Sequence, residues 1–433
     1  MSRTEAPSGM PFWAGLKVSL FWRWWLSIST SALGDGIRVA AVPLVAASLT
    51  TNPTAVAGAT IAVTLPFLLF ALISGTVVDR LDRRRIMVWV SLSRGAVLGL
   101  FALVLLSGHG SLLEVYLLAL VMGTGETLYD NAAQSILPAI VRDDQLDSAN
   151  GRMTATLTAG YEFVGPAAGS ILFTVASFLP FATAAALAVS AGGASGLLPS
   201  QSTAPPRPSS VKGEGERPPG PSPIAGEGER PHGRRSTILG EIAEGFGWIN
   251  GQSNLRRLAA ITAVIGLTDS AWYGILVLYA IRIVHLGPTG YGLLLAAGGL
   301  GGVVGGIVAG QAARRLGIPG AILLAVLAMG ATQVILGLTS NAPLAFAALT
   351  ASSGAIAVFN ALAVSTRQRL TPAPLLGRIN SVFRFLGLGA APLGAAIGGF
   401  LATSVNLRAP FLAGAPLVIV AGLGLRLAGS GDR

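Results

Sequence analysis

Apolar stretches long enough to cross a bilayer recur along almost the whole chain, and nothing else in the sequence constrains the fold as tightly. Predicted spans cover 24–48, 54–78, 86–107, 111–133, 150–173 and 177–199, then 257–281, 288–311, 318–338, 342–365, 378–402 and 409–429. Each supplies the roughly 20 mostly apolar residues that a transmembrane helix requires. Hydrophobic side chains make up 52% of the 433 residues and charged ones only 11%, against roughly 25% charged in an ordinary soluble protein. A water-soluble domain covers its exterior with charge, and this chain has too little to do so. A soluble enzyme is excluded. The expected fold is an all-α integral membrane protein of twelve transmembrane helices, arranged as two six-helix bundles.

The interval between the two sets has a different character. Residues 201–235 hold eight Pro and six Gly but no aromatic residue, and the pentapeptide Gly-Glu-Gly-Glu-Arg occurs at both 213–217 and 226–230. Such a segment buries too little apolar surface to offset the entropy of ordering. The sequence therefore predicts an N-terminal bundle over 1–200, a disordered linker over 201–236 and a C-terminal bundle over 254–433. Ile238, Ile242, Phe246 and Ile249 recur at helical spacing, with Glu241 and Glu244 off that stripe. This pattern predicts an amphipathic surface helix over 237–253, with an exposed linker segment as the alternative.

A net charge of +10 suggests an anionic partner until the charges are placed. Arg80, Arg83, Arg84 and Arg85 fall between spans two and three, Arg142 between four and five, Arg314 and Arg315 between eight and nine, and Arg367 and Arg369 between ten and eleven. The alternate loops are nearly bare, with Arg282 and Arg408 the arginines near them. Basic residues so dispersed anchor topology, and nucleic acid is not an expected partner. The positive-inside rule puts both termini and the linker in the cytoplasm of a bacterial inner membrane. The first twenty residues lack the basic start and apolar core of a cleavable signal. With no Cys and three scattered His, no disulfide, metal centre or other cofactor is expected.

The halves resemble one another in a consistent register. Gly75, followed by Arg83 and Arg84, matches Gly306, followed by Arg314 and Arg315. Asn131 matches Asn360, Asn150 matches Asn380, and Asp35 matches Asp269. Six spans per copy is an even number, so the second copy enters the membrane in the same orientation as the first. Parallel repeats of this kind characterise a class of transporters. Gly298, Gly302, Gly306 and Gly310 recur every four residues, a pattern that predicts a tight helix-packing seam. Trp24, Trp25 and Tyr116 read as anchors at the membrane interface.

Ionisable residues inside apolar spans are costly and mark function by default. Five acids qualify: Asp35, Glu126, Asp130, Glu162 and Asp269. Glu126 and Asp130 are four apart on one helix face and discourage each other's ionisation, and no basic residue of their own helix lies in reach. Asp35 is three residues from Arg38, so the two either neutralise one another or serve the transport path. Glu162 either works in the path or serves packing beside Pro166. Asp35, Glu126, Asp130 and Asp269 are the candidates for proton exchange.

The run from Gly75 through Asp79, Arg80, Leu81 and Asp82 to Arg83, Arg84 and Arg85 resembles the signature loop between helices two and three of the major facilitator superfamily. Ala32-Leu-Gly34-Asp35 and Leu81-Asp82-Arg83-Arg84-Arg85 are similar to the branch of enterobactin exporters and macrolide efflux pumps. Gly165-Pro166-Ala-Ala-Gly169-Ser170 resembles the glycine-proline motif of antiporters, with Ser170 and Tyr161 standing where that motif has Gly. Helix four lacks the Arg that many drug–proton antiporters carry there. The likeness covers nearly the whole chain apart from the linker. It implies that helices one, four, seven and ten line a central cavity, which would bring Asn131, Trp272, Tyr273, Phe359 and Asn360 to the substrate path together with Tyr161 and Glu162. It also implies a gating role for Gly75, Asp79, Arg80, Arg83, Arg84, Gly165 and Pro166.

The expected function is secondary active transport, with proton-coupled efflux of an amphipathic organic compound such as a drug, siderophore or secondary metabolite ranked first. An importer, facilitator or lipid translocator of the same fold is the alternative, and a non-transporting sensor or scaffold ranks lower. No nucleophile–base–oxyanion constellation or phosphate-binding glycine loop is present, so an enzyme or ATP-driven pump is not expected. The expected partners are the organic substrate, protons and the bilayer, with the chain acting as a monomer.

Overall fold

The computed structural model describes residues 18–80, 82–141, 145–198, 246–372 and 375–429; side chains at 18–19, 70–80, 138–139, 147, 377 and 425–429 are outside that description. The described chain is helical throughout its spans. The first four are α1 (Val18–Leu49), α2 (Pro53–Arg80), α3 (Arg83–Leu106) and α4 (Leu112–Ile140). The fifth is built of α5 (Leu146–Leu157), a π-helical turn (Thr158–Val164) and α6 (Gly165–Val175), and the sixth is α7 (Leu179–Gly196). In the second half, α8 (Ser253–Tyr273) and α9 (Leu276–Arg282) form one span bent by 43°. Then follow α10 (Pro288–Leu338), α11 (Ala342–Leu370), α12 (Leu376–Leu388), α13 (Ala391–Ser404) and α14 (Ala409–Gly429).

Helix α10 contains two spans. Its 51 residues would run about 76 Å at 1.5 Å per residue, more than twice the hydrocarbon thickness of about 30 Å. The chain turns at Gly317, whose φ of 70° and ψ of 159° lie where a residue without Cβ is favoured, and Pro319 follows. Counting α10 as two, α12 with α13 as one, and each other bent pair as one gives the twelve expected spans. The expected linker and most of the expected amphipathic helix fall on 199–245, outside the described residues. A short helical segment at 246–251 is described, and there Ile249 is buried among Leu255, Leu258 and Ile261.

Large apolar side chains face outward along the spans, among them Trp89, Leu100, Leu103, Ile307, Phe400 and Val420. In water such a surface would drive aggregation; in a bilayer it is the solvated face. Between helices, polar side chains tie the bundle where lipid offers no partner. The Ser27 hydroxyl on α1 meets the Tyr129 hydroxyl of α4 at 2.7 Å and the Ser195 hydroxyl of α7 at 2.7 Å. The supposed interface anchors serve similarly. Trp24 is fully buried and donates to the Ala133 carbonyl at 3.0 Å, Trp25 donates to the Thr156 hydroxyl, and Tyr116 donates to the Ala55 carbonyl.

The expected four-residue glycine seam is displaced. Gly301 and Gly305, one and three positions from Gly302, are the ones that press against the carbonyls of Thr350 and Gly354 on α11, whereas Gly306 faces open space. Of the expected residues, Gly298 still faces Ser353 and Leu349 of α11 and Gly302 faces Glu162 of the fifth span.

The two halves meet along α2 against α13 and α6 against α10. Hydrogen bonds from one half to the other cluster at the end opposite the arginine-bearing loops. Thr54 and Thr403 share a hydroxyl contact at 2.8 Å, Thr54 donates to the Gly399 carbonyl, Thr174 meets Thr289 at 3.0 Å, and Arg282 donates to the Thr51 carbonyl. These contacts form a polar clasp across the interface.

Candidate functional site

A cavity of about 460 Å³ is walled chiefly by the N-terminal half and reaches the C-terminal half at Leu388. Its walls come from the middle of α1, α2 and α4, from the fifth span, and from Leu388 at the end of α12. Ile28, Val63, Phe67 and Leu157 supply apolar surface, while Asp35, Glu126, Asp130, Tyr161 and Glu162 supply the polar groups. Four of the five acids picked out in the sequence therefore converge on one space.

Their environments differ. Asp35, 7% exposed, lies within 3.6 Å of Arg38, but its closer partner is the Arg94 guanidinium reaching across from α3. Ser31, one turn earlier on α1, also donates to the Asp35 carboxylate. Arg38 turns instead to Glu126 of α4, which accepts its Nη2 at 2.8 Å. The result is an alternating buried row: Arg94, Asp35, Arg38, Glu126. Charges removed from water at this depth persist only when paired and hydrogen-bonded. The Nε atoms of both arginines are buried without a hydrogen-bond partner, so even this row is incompletely satisfied.

Asp130 stands one helical turn beyond Glu126, is exposed, and makes no ion pair among the described residues. Glu162 has the same standing on the fifth span. Glu126 and Asp130 both line the cavity from α4, and Arg38, from another helix, pairs with Glu126 but not with Asp130. Arg94 was missed in the sequence, although a single arginine inside the third apolar span is the signal that should have raised it.

The other predicted residues are distributed as follows. Asp269 on α8 lies inside the C-terminal bundle, accepting from Trp272 Nε1 and from Gln333 Nε2, each at 3.2 Å. It is not part of the cavity wall. Trp272 is buried and stacked on Phe411 at 5.6 Å between ring centroids, and Phe359 is 1% exposed in a second apolar cluster. Both belong to the packed interior in this structure, because their large rings fill space between C-terminal helices. Tyr273 and Asn360 are exposed but lie outside the cavity wall, and Asn131 donates to the Thr127 carbonyl one turn back on α4.

Of the loop motif, Arg83 donates to the Ser135 carbonyl of α4 at 3.3 Å and Arg84 donates to the Gly196 carbonyl at the end of α7. Asp82 caps α3 by accepting from the Arg84 backbone N–H. The side chains of Asp79 and Arg80, like Gly75, lie outside the described residues. Gly165 and Pro166 open α6 where the fifth span crosses α1. A Cβ on Gly165 would collide with Gly36 and with the Gly160 carbonyl, so the crossing requires glycine on both helices.

Comparison with known proteins follows the same lines. A family model described as Major Facilitator Superfamily matches residues 24–265, and one described as Transmembrane secretion effector matches residues 230–428. The chain is similar to the multidrug efflux pump Tap of Mycolicibacterium fortuitum, with 27% identity over 398 residues and 89% of each chain covered. It is 29% identical over 414 residues to the protein of the same name from Mycobacterium tuberculosis, covering 91% of this chain and 89% of that one. Among solved structures, a bacterial homologue of the iron transporter ferroportin in an inward-facing state superposes with a TM-score of 0.67 at 16% identity, covering 94% of this chain and 98% of that one. The nucleoside transporter NupG gives 0.64 at 10% identity, with 95% and 98% covered. At these identities the structural likeness speaks for the fold.

Proposed function

Because the chain belongs to the major facilitator superfamily, we propose that it exports an amphipathic organic compound across a bacterial plasma membrane in exchange for protons. The observation that carries this reading is the cavity in the N-terminal half, where Asp35 and Glu126 are held by arginines while Asp130 makes no ion pair among the described residues. A carboxylate in a largely apolar cavity is poised to take up and release a proton as access changes. The multidrug efflux pumps to which the chain is similar support the outward direction and the amphipathic substrate class.

By the positive-inside rule the arginine-bearing loops, both termini and the 201–236 linker lie in the cytoplasm. In that orientation the Thr54–Thr403 clasp closes the outer face and the cavity faces inward. The cycle then has a simple order. Substrate enters the inward cavity, the halves rock about it, the clasp parts, and a proton from outside reaches Asp130 and displaces the substrate. The protonated form returns to the inward state, where Asp130 releases its proton to the cytoplasm and the exchange is complete. Gly75, Asp79, Arg80, Arg83 and Arg84, together with the Gly165–Pro166 crossing, act as the gating elements. The row Arg94–Asp35–Arg38–Glu126 is the part of the N-terminal bundle that senses the charge on Asp130. The linker joins a 1–200 bundle to a 254–433 bundle, and one chain suffices for the path.

The test is a compound screen in inside-out membrane vesicles acidified in the lumen and reported by a pH-sensitive dye. A transported compound is expected to alkalinise the lumen only when the protein is present. A compound that the protein concentrates in those vesicles without any proton movement would overturn the coupling.

A further inference from the structure

The fifth span does not run as a continuous α-helix. Between α5 and α6 it widens into a π-helical turn over Thr158–Val164. Such turns cost backbone hydrogen-bond quality and are found preferentially at functional sites. This one carries Thr158, Tyr161 and Glu162, three of the four polar residues that the span contributes to the cavity, and Glu162 is the acid among them.

Glu162 is also at the seam between the halves. Its backbone presses on Gly299 of α10, and its carboxylate lies beside Gly302 of the same helix. The glycines remove the side chains that would otherwise cover the carboxylate from the C-terminal side. With Arg38 and Arg94 engaged by Glu126 and Asp35, no arginine of that row is left over for Glu162. Four carboxylates line the cavity (Asp35, Glu126, Asp130, Glu162); Arg94 and Arg38 behind its wall pair with Asp35 and Glu126, and Arg384 of α12 lies toward Asp130. Glu162, on the π turn, makes no ion pair with any of these arginines.

We propose that Glu162 determines the charge preference of the binding cavity, acting as the anchor for the positively charged centre of the substrate. The inference rests on the export reading above and names the substrate class: amphipathic compounds with a cationic group and an apolar body. Apolar walls at Ile28, Val63, Phe67 and Leu157 hold the body, and Glu162 holds the charge, leaving Asp130 for the proton. Because the anchor bears on α10, a bound cation touches the surface along which the two halves move against one another.

Tetraphenylphosphonium and tetraphenylborate provide the test, since they share one shape and carry opposite charges. Binding of each to purified full-length protein is measured by equilibrium dialysis against matched protein-free detergent. The wild type is expected to bind the cation and to discriminate against the borate. Glu162→Gln should weaken the cation at least about tenfold, the order expected for losing a charge–charge attraction in a partly dehydrated cavity, while Glu162→Asp should lose less. Glu114→Gln, which removes a carboxylate at the far end of α4, should change nothing. Equal binding of both ions by the wild type would overturn the proposal. So would cation affinity unchanged in Glu162→Gln, or a loss confined to Asp130→Asn. Should Glu162→Gln fail to fold, cation affinity unchanged in Glu162→Lys, or a preference for the cation over the borate kept by that variant, would do the same. A wild type that exports with proton exchange while Glu162→Gln binds normally rejects this inference alone. A wild type that binds the cation through Glu162 but moves no protons rejects the export reading alone.

Discussion

Arg94 and Arg38 pair with Asp35 and Glu126, and with neither Asp130 nor Glu162 among the described residues. Each guanidinium is almost fully buried and faces an acid on another element or turn. Removing one partner of such a pair leaves an uncompensated charge and costs about 3–5 kcal/mol, whereas removing both costs far less. Arg94→Leu is therefore expected to lower stability by that order, measured as the thermal midpoint of the detergent-solubilised protein, and Asp35→Asn added to it should recover much of the loss. An Arg94→Leu protein as stable as its parent would sink the pairing. Asp35, Glu126 and Asp130 were legible in the sequence because acids inside apolar spans stand out. Their partners were not, since pairing runs between helices and no sequence spacing links Arg94 to Asp35 or Arg38 to Glu126. Asp269 shows the reverse case: its match to Asp35 across the repeat is real in position, yet its partners on α8 and α10 are the neutral donors Trp272 and Gln333. The duplicated scaffold keeps the acid in the first span of each half, facing the third, while the charged row is found in the N-terminal half among the described residues.

At the scale of elements, the spans themselves were the most readable part of the chain, because twenty-residue apolar stretches leave little choice of structure in a membrane. What periodicity did not reveal is where helices are interrupted. The fifth span of each half is broken near its middle, by the π turn at Thr158–Val164 in one and at Gly389–Ala390 in the other. The first lies where the backbones of Gly36 and Gly160 approach closely, an effect of tertiary packing. Gly165 is the sharpest instance, wedged against Gly36. Gly165→Val is expected to destabilise by at least about 1–3 kcal/mol, the usual range for forcing extra carbons into a packed core, and to reduce the yield of monodisperse protein. Gly306→Ala, on a face with nothing nearby, should be neutral or slightly stabilising because alanine favours helix. Equal behaviour of the two variants would contradict the packing described for the fifth span.

Taken whole, the molecule is two duplicated bundles joined along α2–α13 and α6–α10, closed by a clasp at one end and hollow toward the other. The native chain has no cysteine, which makes the clasp directly testable. A Thr54→Cys/Thr403→Cys protein should form a disulfide, since the parent hydroxyls lie 2.8 Å apart. Oxidation should then abolish transport and reduction should restore it. Transport that survives complete cross-linking would mean that the clasp does not open in the cycle. The central claim, that Asp130 carries the exchanged proton, is best tested in proteoliposomes by comparing two modes of one transported compound. Wild-type protein should accumulate the compound under an imposed pH gradient and also exchange it at equal concentrations on both sides. Asp130→Asn should keep the exchange and lose the gradient-driven accumulation. Accumulation at the wild-type level in Asp130→Asn, under the same gradient, would contradict the account.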